Sequence, residues 1–356
     1  MATLAAGRVL RPDGTLRPGV VEVDGRTVTH VSDATGPTPD RILTPGFIDL
    51  QVNGIADLDV ATADGDEWGR LDELLVSQGV TTWCPTLISA PLASYPPALE
   101  RISRAAGRPA STRPAIAGAH LEGPFLGTAT GAHPRAFIVA VDRSFLDALP
   151  PIVRVVTMAP ESEGALDAIR ALAERGVLVS LGHSTADADT TRAAVAAGAK
   201  MVTHLFNAMV PFHHRQPGLI GVALTDDRLA VSLIADGVHI GPEALALALR
   251  AKRPGGLVLV TDAVAWQRFD PSGGAPRLAD GTLAGSALTM DQAIRNTVSV
   301  GGNVTDALLA ATATPAALLG LVDRGRLAPG TRADVVALSP ALEVEQVWIG
   351  GEAAFP

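Results

Sequence analysis

Hydrophobic and polar positions alternate in short runs at both ends of the chain. Over residues 3–41 the alternation is interrupted by Asp-Gly dipeptides at 13–14 and 24–25, and the same texture returns at 333–349. Alternation broken by Asp-Gly is typical of β-hairpins. Because two separate short β segments would leave exposed edges, we expect the termini to meet in one small β-sandwich.

Between the two ends the pattern changes to strand, helix, strand. Runs of Val, Leu and Ile with little polar alternation are typical of parallel strands that are buried on both faces. The predicted strands are 43–52, 80–87, 115–121, 152–158, 177–181, 201–203, 229–234 and 257–261. The predicted helices include 67–77, 163–175, 242–249, 290–300 and 305–319.

Eight such strands predict an α/β fold, a (β/α)8 barrel of the TIM type. The expected barrel domain covers residues 43–324, and residues 1–42 and 325–356 form the expected β-sandwich domain. The length of 356 residues suits a barrel of about 250 residues with a small appended domain.

Composition narrows the class of protein further. Hydrophobic residues make up 47% of the chain and the formal net charge is −9, which argues against nucleic acid or an anionic membrane as a partner. The single cysteine, Cys84, excludes an internal disulfide and a thiolate metal cluster. Since the sequence has neither a signal-peptide pattern nor an apolar run of spanning length, we expect a cytoplasmic protein.

Candidate catalytic residues collect where the predicted strands end. His183 and His204 each follow a short apolar run, and Glu122 ends the third predicted strand. The carboxyl ends of barrel strands share one mouth, where such folds carry out chemistry. One carboxylate and two imidazoles form a ligand set that leaves a coordination position for water, as a hydrolytic zinc site requires. Asp262, after the eighth strand, is placed to take a proton from that water and pass it to a leaving group.

Each of these residues also has an ordinary structural explanation. His183 or His204 alone could cap a strand and form a local hydrogen bond. Glu122 or Asp262 alone could cap a helix or join an ion pair, and for Asp262 by itself that would be the preferred interpretation. The matching positions of the four residues at strand ends favour the catalytic interpretation.

Eight motifs resemble one enzyme family in its own order. They are PGFIDLQVNG, HLEGPFLG, LGHSTA, THLFNAM, HHRQPGLIG, DGVH, LVTDA and LADGTLAGSALTM. This series resembles that of the N-acetylglucosamine-6-phosphate deacetylases, a branch of the amidohydrolase superfamily. The resemblance implies a metal-dependent amide hydrolase with a barrel, a β-sandwich and a homodimeric assembly.

The resemblance supports the metal ligands and the acid/base residue chosen above. It also implies that Gln51 and Asn53 occupy the place where many amidohydrolases carry His-x-His for a second metal. Because Gln and Asn are poor transition-metal ligands beside imidazole, one divalent metal per subunit follows. Zinc is the first choice for that metal and ferrous iron is the alternative.

The resemblance further implies a set of substrate-binding residues. They are His133, Asn207, Ala208, Arg215 and His239. The guanidinium of Arg215 can bind a phosphate through two hydrogen bonds, and the family places this arginine near the subunit interface, at a neighbouring subunit's site. The structural alternative for Arg215 is an exposed surface charge. His133 and His239 are both candidates for polarising the acetamide carbonyl or holding sugar hydroxyls.

The implied reaction converts N-acetyl-D-glucosamine 6-phosphate to D-glucosamine 6-phosphate and acetate, in amino-sugar catabolism or recycling. Water activated by the metal attacks the amide, and Asp262 serves as general base and then general acid.

Three departures from the family pattern concern the loops around the mouth. Residues 55–59 replace a glycine-rich stretch, the segment between Asp262 and Leu278 is short, and Thr130 stands where a lysine is common. Because loops set specificity in barrel enzymes, an amidohydrolase acting on another N-acyl sugar, such as the galactosamine epimer or an unphosphorylated sugar, is the alternative. A non-catalytic sugar-phosphate-binding barrel is a third hypothesis, which the presence of all four catalytic candidates disfavours.

Overall fold

The computed structural model describes residues 1–109, 112–269 and 274–356 as an alternation of strands and helices. The strands are β1 Ala2–Leu10, β2 Leu16–Asp24, β3 Thr27–Asp33, β4 Ile42–Pro45, β5 Phe47–Val52, β6 Gly54–Ile55, β7 Leu58–Asp59, β8 Val80–Leu87, β9 Ala115–Ile116, β10 Ala119–Glu122, β11 Val153–Met158, β12 Leu178–Leu181, β13 Met201–Val202, β14 Ala230–Leu233, β15 Leu257–Leu259, β16 Val335–Leu338, β17 Val344–Ile349 and β18 Glu352–Phe355. The helices are α1 Glu67–Val76, α2 Tyr95–Ala106, α3 Arg143–Asp147, α4 Ala165–Glu174, α5 Ala188–Ala197, α6 Gly218–Thr225, α7 Pro242–Ala251, α8 Met290–Ser299, α9 Val304–Ala310 and α10 Ala313–Leu318. Three 3₁₀ helices lie at Leu92–Ser94, Arg135–Phe137 and Trp266–Arg268.

Eight parallel strands form the barrel, which confirms the predicted fold. Their order around the barrel is β5, β8, β10, β11, β12, β13, β14 and β15, and β9 pairs with β8 beside them. The first and last strands are joined at the mouth, where the amide of Asp262 donates to the carbonyl of Gln51 at 2.9 Å and the amide of Asn53 donates to the carbonyl of Ala263 at 2.7 Å. The barrel therefore closes at the end where the candidate residues lie.

The two termini build one further sheet, as predicted. Its strand order is β18-β17-β16-β4-β1-β2-β3, so β4 lies between a strand from each end of the chain. The sheet curls back on itself, because the amide of Val28 donates to the carbonyl of Thr331 and the amide of Gly330 donates to the carbonyl of Val28, both at 2.9 Å. Within the curl, side chains such as Leu43, Val335 and Trp348 form a second hydrophobic core.

The predicted strand 43–52 is two strands in different sheets. β4 pairs in the terminal sheet, and β5 begins the barrel after Gly46. A Cβ at Gly46 would lie 2.0 Å from the Oγ1 of Thr81, so only glycine fits where the chain passes from one sheet to the other. Because the apolar run continues across Gly46, the sequence pattern does not indicate that the strand is divided there. The division into domains 1–42 with 325–356 and 43–324 stays a prediction.

The predicted helix 305–319 is also divided, into α9 and α10. Pro315 lies in the first turn of α10, where its missing N–H costs no helical hydrogen bond. Across the described ranges, every helix is too short or too polar to cross a membrane.

Candidate active site

Glu122, His183 and His204 bring three ligand atoms together at the barrel mouth. The Nε2 atoms of His183 and His204 lie 3.1 Å and 2.9 Å from the Oε1 of Glu122, and 3.1 Å from each other. Ligands about 2.05 Å from a tetrahedral zinc ion lie about 3.3 Å apart, so this triangle is close to the spacing that such an ion imposes. All three side chains are buried. The donor set and its spacing fit a divalent metal.

The two histidines are turned toward the mouth by an uncommon backbone conformation. His183 and His204 have φ values of +50° and +31°, in the left-handed region that non-glycine residues rarely adopt. Such residues cost about 1–3 kcal/mol each and persist where the surroundings hold them. The amide of His204 donates to the Oγ of Ser232 at 2.8 Å. Glu161 accepts the hydroxyl of Ser184 at 2.7 Å and thereby fixes the turn that contains His183.

The proton on His183 is placed by a backbone carbonyl. Its Nδ1 donates to the carbonyl of Ala129 at 3.3 Å, which leaves the Nε2 lone pair directed at the cluster. The Nδ1 of His204 is buried, and no partner for it lies within the described part of the chain. Burial alone would raise the pKa of Glu122, but its close contacts with the imidazoles of His133, His183 and His204 outweigh burial and hold that pKa well below its usual range. Glu122 is therefore ionised, as a metal ligand must be.

A fourth imidazole, His133, makes a second three-residue group possible. Glu122, His133 and His183 also offer ligand atoms within 4.8 Å of one another. The amide of Ser89, however, donates to the Nδ1 of His133 at 3.2 Å, so a neutral His133 carries its proton on Nε2. That Nε2–H lies 3.7 Å from the Oε2 of Glu122 and is a donor rather than a ligand. The geometry therefore favours His204 as the third ligand.

Asp262 is held by two amide side chains from the first barrel strand and its end. The Nε2 of Gln51 and the Nδ2 of Asn53 donate to its Oδ1 at 3.0 Å and 2.7 Å. The other oxygen, Oδ2, receives neither of these bonds. Burial raises the pKa of Asp262 to about 8, and the negative charge of Glu122 adds to this effect. A carboxyl group that exchanges its proton near neutral pH suits general acid/base chemistry.

Eight of the nine predicted site residues line one pocket at the mouth. They are Glu122, His133, His183, His204, Asn207, Ala208, His239 and Asp262. Arg215 does not line this pocket within the described part of the chain. It is exposed in the loop before α6, with its Nη1 3.1 Å from the Nε2 of His214. Within one chain, Arg215 therefore lies apart from the other eight predicted site residues, which share the pocket.

The departures noted in the sequence surround this pocket. β6 and β7 form a small hairpin, and Asp59 at its end lies in the pocket wall beside Arg268, at 3.3 Å. Residues 270–273, in the segment predicted to be a shortened loop, lie outside the described residues. Thr130 precedes Gly131, which lines the pocket wall.

Several residues that support the site carried no predicted role. They are Ser89, Glu161, Asp236, Arg268 and a line of hydroxyl groups below the ligands from Thr157, Ser180 and Thr203. Asp236 stood in the sequence at a strand end, three residues before His239, and its position was the available signal. Ser89 acts on His133 through its backbone amide as well as its hydroxyl, and a backbone donor leaves no mark on the amino-acid pattern.

A parallel barrel with a carboxylate, two imidazoles and a buried aspartate grouped at its mouth is typical of metal-dependent hydrolases. The chain belongs to the amidohydrolase family, whose family model matches residues 42–354. It is 40% identical to the N-acetylglucosamine-6-phosphate deacetylase of Bos taurus, over 98% of this chain and 93% of that protein. It is 37% identical to the N-acetylgalactosamine-6-phosphate deacetylase of Escherichia coli O157:H7, over 99% and 98%.

A solved structure has nearly the same fold. It is that of a mutant N-acetyl-D-glucosamine-6-phosphate deacetylase from Mycobacterium smegmatis in complex with N-acetyl-D-glucosamine 6-phosphate, with a TM-score of 0.92, 35% identity and 99% of each chain covered. These relatives confirm the resemblance to this family of deacetylases that the motifs indicated.

Proposed function

We propose that the protein hydrolyses N-acetyl-D-glucosamine 6-phosphate to D-glucosamine 6-phosphate and acetate, as a step of amino-sugar catabolism in the cytoplasm. The observation that carries this proposal is the triangle of Glu122, His183 and His204 in one pocket with Asp262. Relatives that cover nearly the whole chain are deacetylases of amino-sugar phosphates, which supports the same substrate class.

One divalent metal per subunit, zinc in our proposal, would be held by Glu122, His183 and His204. When bound, such an ion lowers the pKa of a coordinated water and polarises a carbonyl. Gln51 and Asn53 carry amides where a second metal would need imidazoles, and these amides donate to Asp262.

The side chains around the cluster divide the remaining work. The Oδ2 of Asp262 accepts a proton from the attacking water and returns it to the nitrogen as the C–N bond of the acetamide breaks. The Nε2–H of His133 is available to the carbonyl oxygen, on which negative charge develops. Asn207 and Ala208 line the same pocket on the side of His204 and contribute to holding the sugar phosphate.

The phosphate would be bound with help from a second copy of the chain. Arg268 is the one lysine or arginine among the described residues that line the pocket, and its guanidinium is already held by Asp57 and Asp59. Arg215 lies in an exposed loop with Phe212, which is 55% exposed. We propose that this loop lies at a homodimer interface and directs Arg215 into the neighbouring pocket.

Acetate release from N-acetylglucosamine 6-phosphate by the purified protein tests the proposed function. We expect turnover with about one metal ion per chain, and loss of turnover on chelation. The galactosamine epimer and unphosphorylated N-acetylglucosamine are assayed in parallel, since one relative acts on the galactosamine epimer by its name. No acetate from the glucosamine phosphate, with the metal still bound, would refute this substrate assignment, and turnover of the epimer alone would replace it.

Mixing two inactive variants tests the proposed role of Arg215. Arg215→Ala and Asp262→Asn chains, unfolded and refolded together, should recover about one quarter of the wild-type activity, because half of the dimers are mixed and each contains one complete site. Each variant refolded alone is the control. No recovery from a mixture that size-exclusion chromatography shows to be dimeric would mean that Arg215 does not act across the interface.

A further inference from the structure

Asp236 binds His239 in the pocket wall through a short hydrogen bond. The Oδ2 of Asp236 lies 2.6 Å from the Nδ1 of His239, and the two side chains are 9% and 4% exposed. The segment is anchored from outside the barrel, since the Nδ2 of Asn296 on α8 donates to the carbonyl of Ala235 at 2.7 Å. His239 lines the same pocket as the metal cluster.

The orientation of the Asp236 carboxylate is fixed by two backbone donors. Its Oδ1 accepts the amides of Val238 at 2.8 Å and His239 at 2.7 Å. Its Oδ2 is therefore the oxygen that accepts the proton on the Nδ1 of His239. In the neutral ring this leaves Nε2 as a lone pair available to the pocket, a hydrogen-bond acceptor.

His133 has the opposite arrangement. There the backbone amide of Ser89 donates to Nδ1, and Nε2 carries the proton. The two imidazoles that line the pocket outside the ligand set thus differ in hydrogen-bonding character, one a donor and the other an acceptor. An amide carbonyl needs a donor, and a sugar hydroxyl can donate to an acceptor.

We propose that Asp236 is a positioning residue that fixes the Nε2 of His239 as an acceptor for a hydroxyl group of the amino sugar. This inference rests on the proposed function and adds a residue to it. The carboxylate of Asp236 does not line the pocket, so it acts on the substrate through the imidazole that it orients.

The variant Asp236→Asn tests this role because it changes the proton position with little change in shape. Its Oδ1 must still face the amides of Val238 and His239, so its NH2 group faces the Nδ1 of His239 and moves the ring proton to Nε2. We expect kcat/KM to fall about 100-fold, the scale of loss when the carboxylate that orients a functional histidine is removed. Metal content and thermal unfolding temperature should stay close to the wild-type values.

Two further measurements separate positioning from a general structural effect. Nitrogen-15 NMR of histidine-labelled protein should show Nδ1 protonated in the wild type and Nε2 protonated in Asp236→Asn, with the His239 signals assigned by their absence in His239→Asn. In the His239→Asn background, Asp236→Asn should cause no further loss of kcat/KM. The control is Glu22→Gln, which alters another histidine–carboxylate pair. In that pair the Oε2 of Glu22 lies 3.9 Å from the Nδ1 of His30, on the exposed terminal sheet.

An unchanged proton position in Asp236→Asn, or an equal loss of kcat/KM with and without His239, would overturn the proposal. If the wild-type protein released no acetate, the proposed substrate would fall, and the NMR comparison would still decide whether Asp236 fixes the proton on His239.

Discussion

Asp262→Asn is expected to lower kcat by at least about 10³-fold while metal content stays at the wild-type level. The substitution keeps an oxygen to accept the amides of Gln51 and Asn53, which donate at 3.0 Å and 2.7 Å, so the local geometry persists. What it removes is the oxygen that takes and returns a proton. The measurement is steady-state acetate release beside elemental analysis of the same samples.

A buried aspartate elsewhere provides the control for this substitution. Asp334, directly before β16 of the terminal sheet, accepts hydrogen bonds from the Nε of Arg332 and from the amide of Gly350, both at 2.8 Å. Asp334→Asn is expected to lower the unfolding temperature without changing kcat. Turnover of Asp262→Asn within tenfold of the wild type would show that another group is the base.

His204→Asn and His133→Asn are expected to differ sharply in metal content. Loss of a ligand at His204 should reduce bound metal from about one ion per chain to less than a tenth, because two ligands rarely hold zinc against dialysis. His133→Asn should retain the metal and lose turnover, since His133 is a donor whose Nδ1 is occupied by Ser89. Metal analysis after dialysis against a weak chelator, together with acetate release, distinguishes the two.

The reverse pattern would assign the metal to the other three-residue group. If His133→Asn lost the ion and His204→Asn kept it, then Glu122, His133 and His183 would be the ligands, and the proton inferred on the Nε2 of His133 would be misplaced. Circular dichroism of both variants controls for folding.

Much of the barrel could be predicted because its strands are buried on both faces and leave an unbroken apolar signal. The strand Val80–Leu87 has its predicted bounds, and His183 and His204 follow their strands as expected. The sequence places residues on strand ends, and the closed barrel then brings those ends to one mouth. The same reasoning predicts that Glu122 and Asp262 lie at the mouth.

Other features depend on the third dimension and have no periodic signal. Gly46 is required by the nearness of Thr81, a contact between segments that the apolar pattern does not register. The left-handed backbone of His183, His204 and Asp262 depends on hydrogen bonds that form after the strands have assembled. Arg215 was predicted to bind the substrate. In the single chain it lies in an exposed loop, and its role stays a prediction.

The position of β4 in the terminal sheet has a consequence for biosynthesis. β4 pairs with β1 on one side and with β16 on the other, and β16 begins about 290 residues after β4 ends. At about 5–20 residues per second, a ribosome needs roughly 15–60 s to supply that partner. During this time the nascent chain exposes the apolar edge of Ile42 and Leu43, both fully buried in the finished protein, to other unfinished chains. Protection of that edge by a chaperone should therefore raise the yield of folded protein.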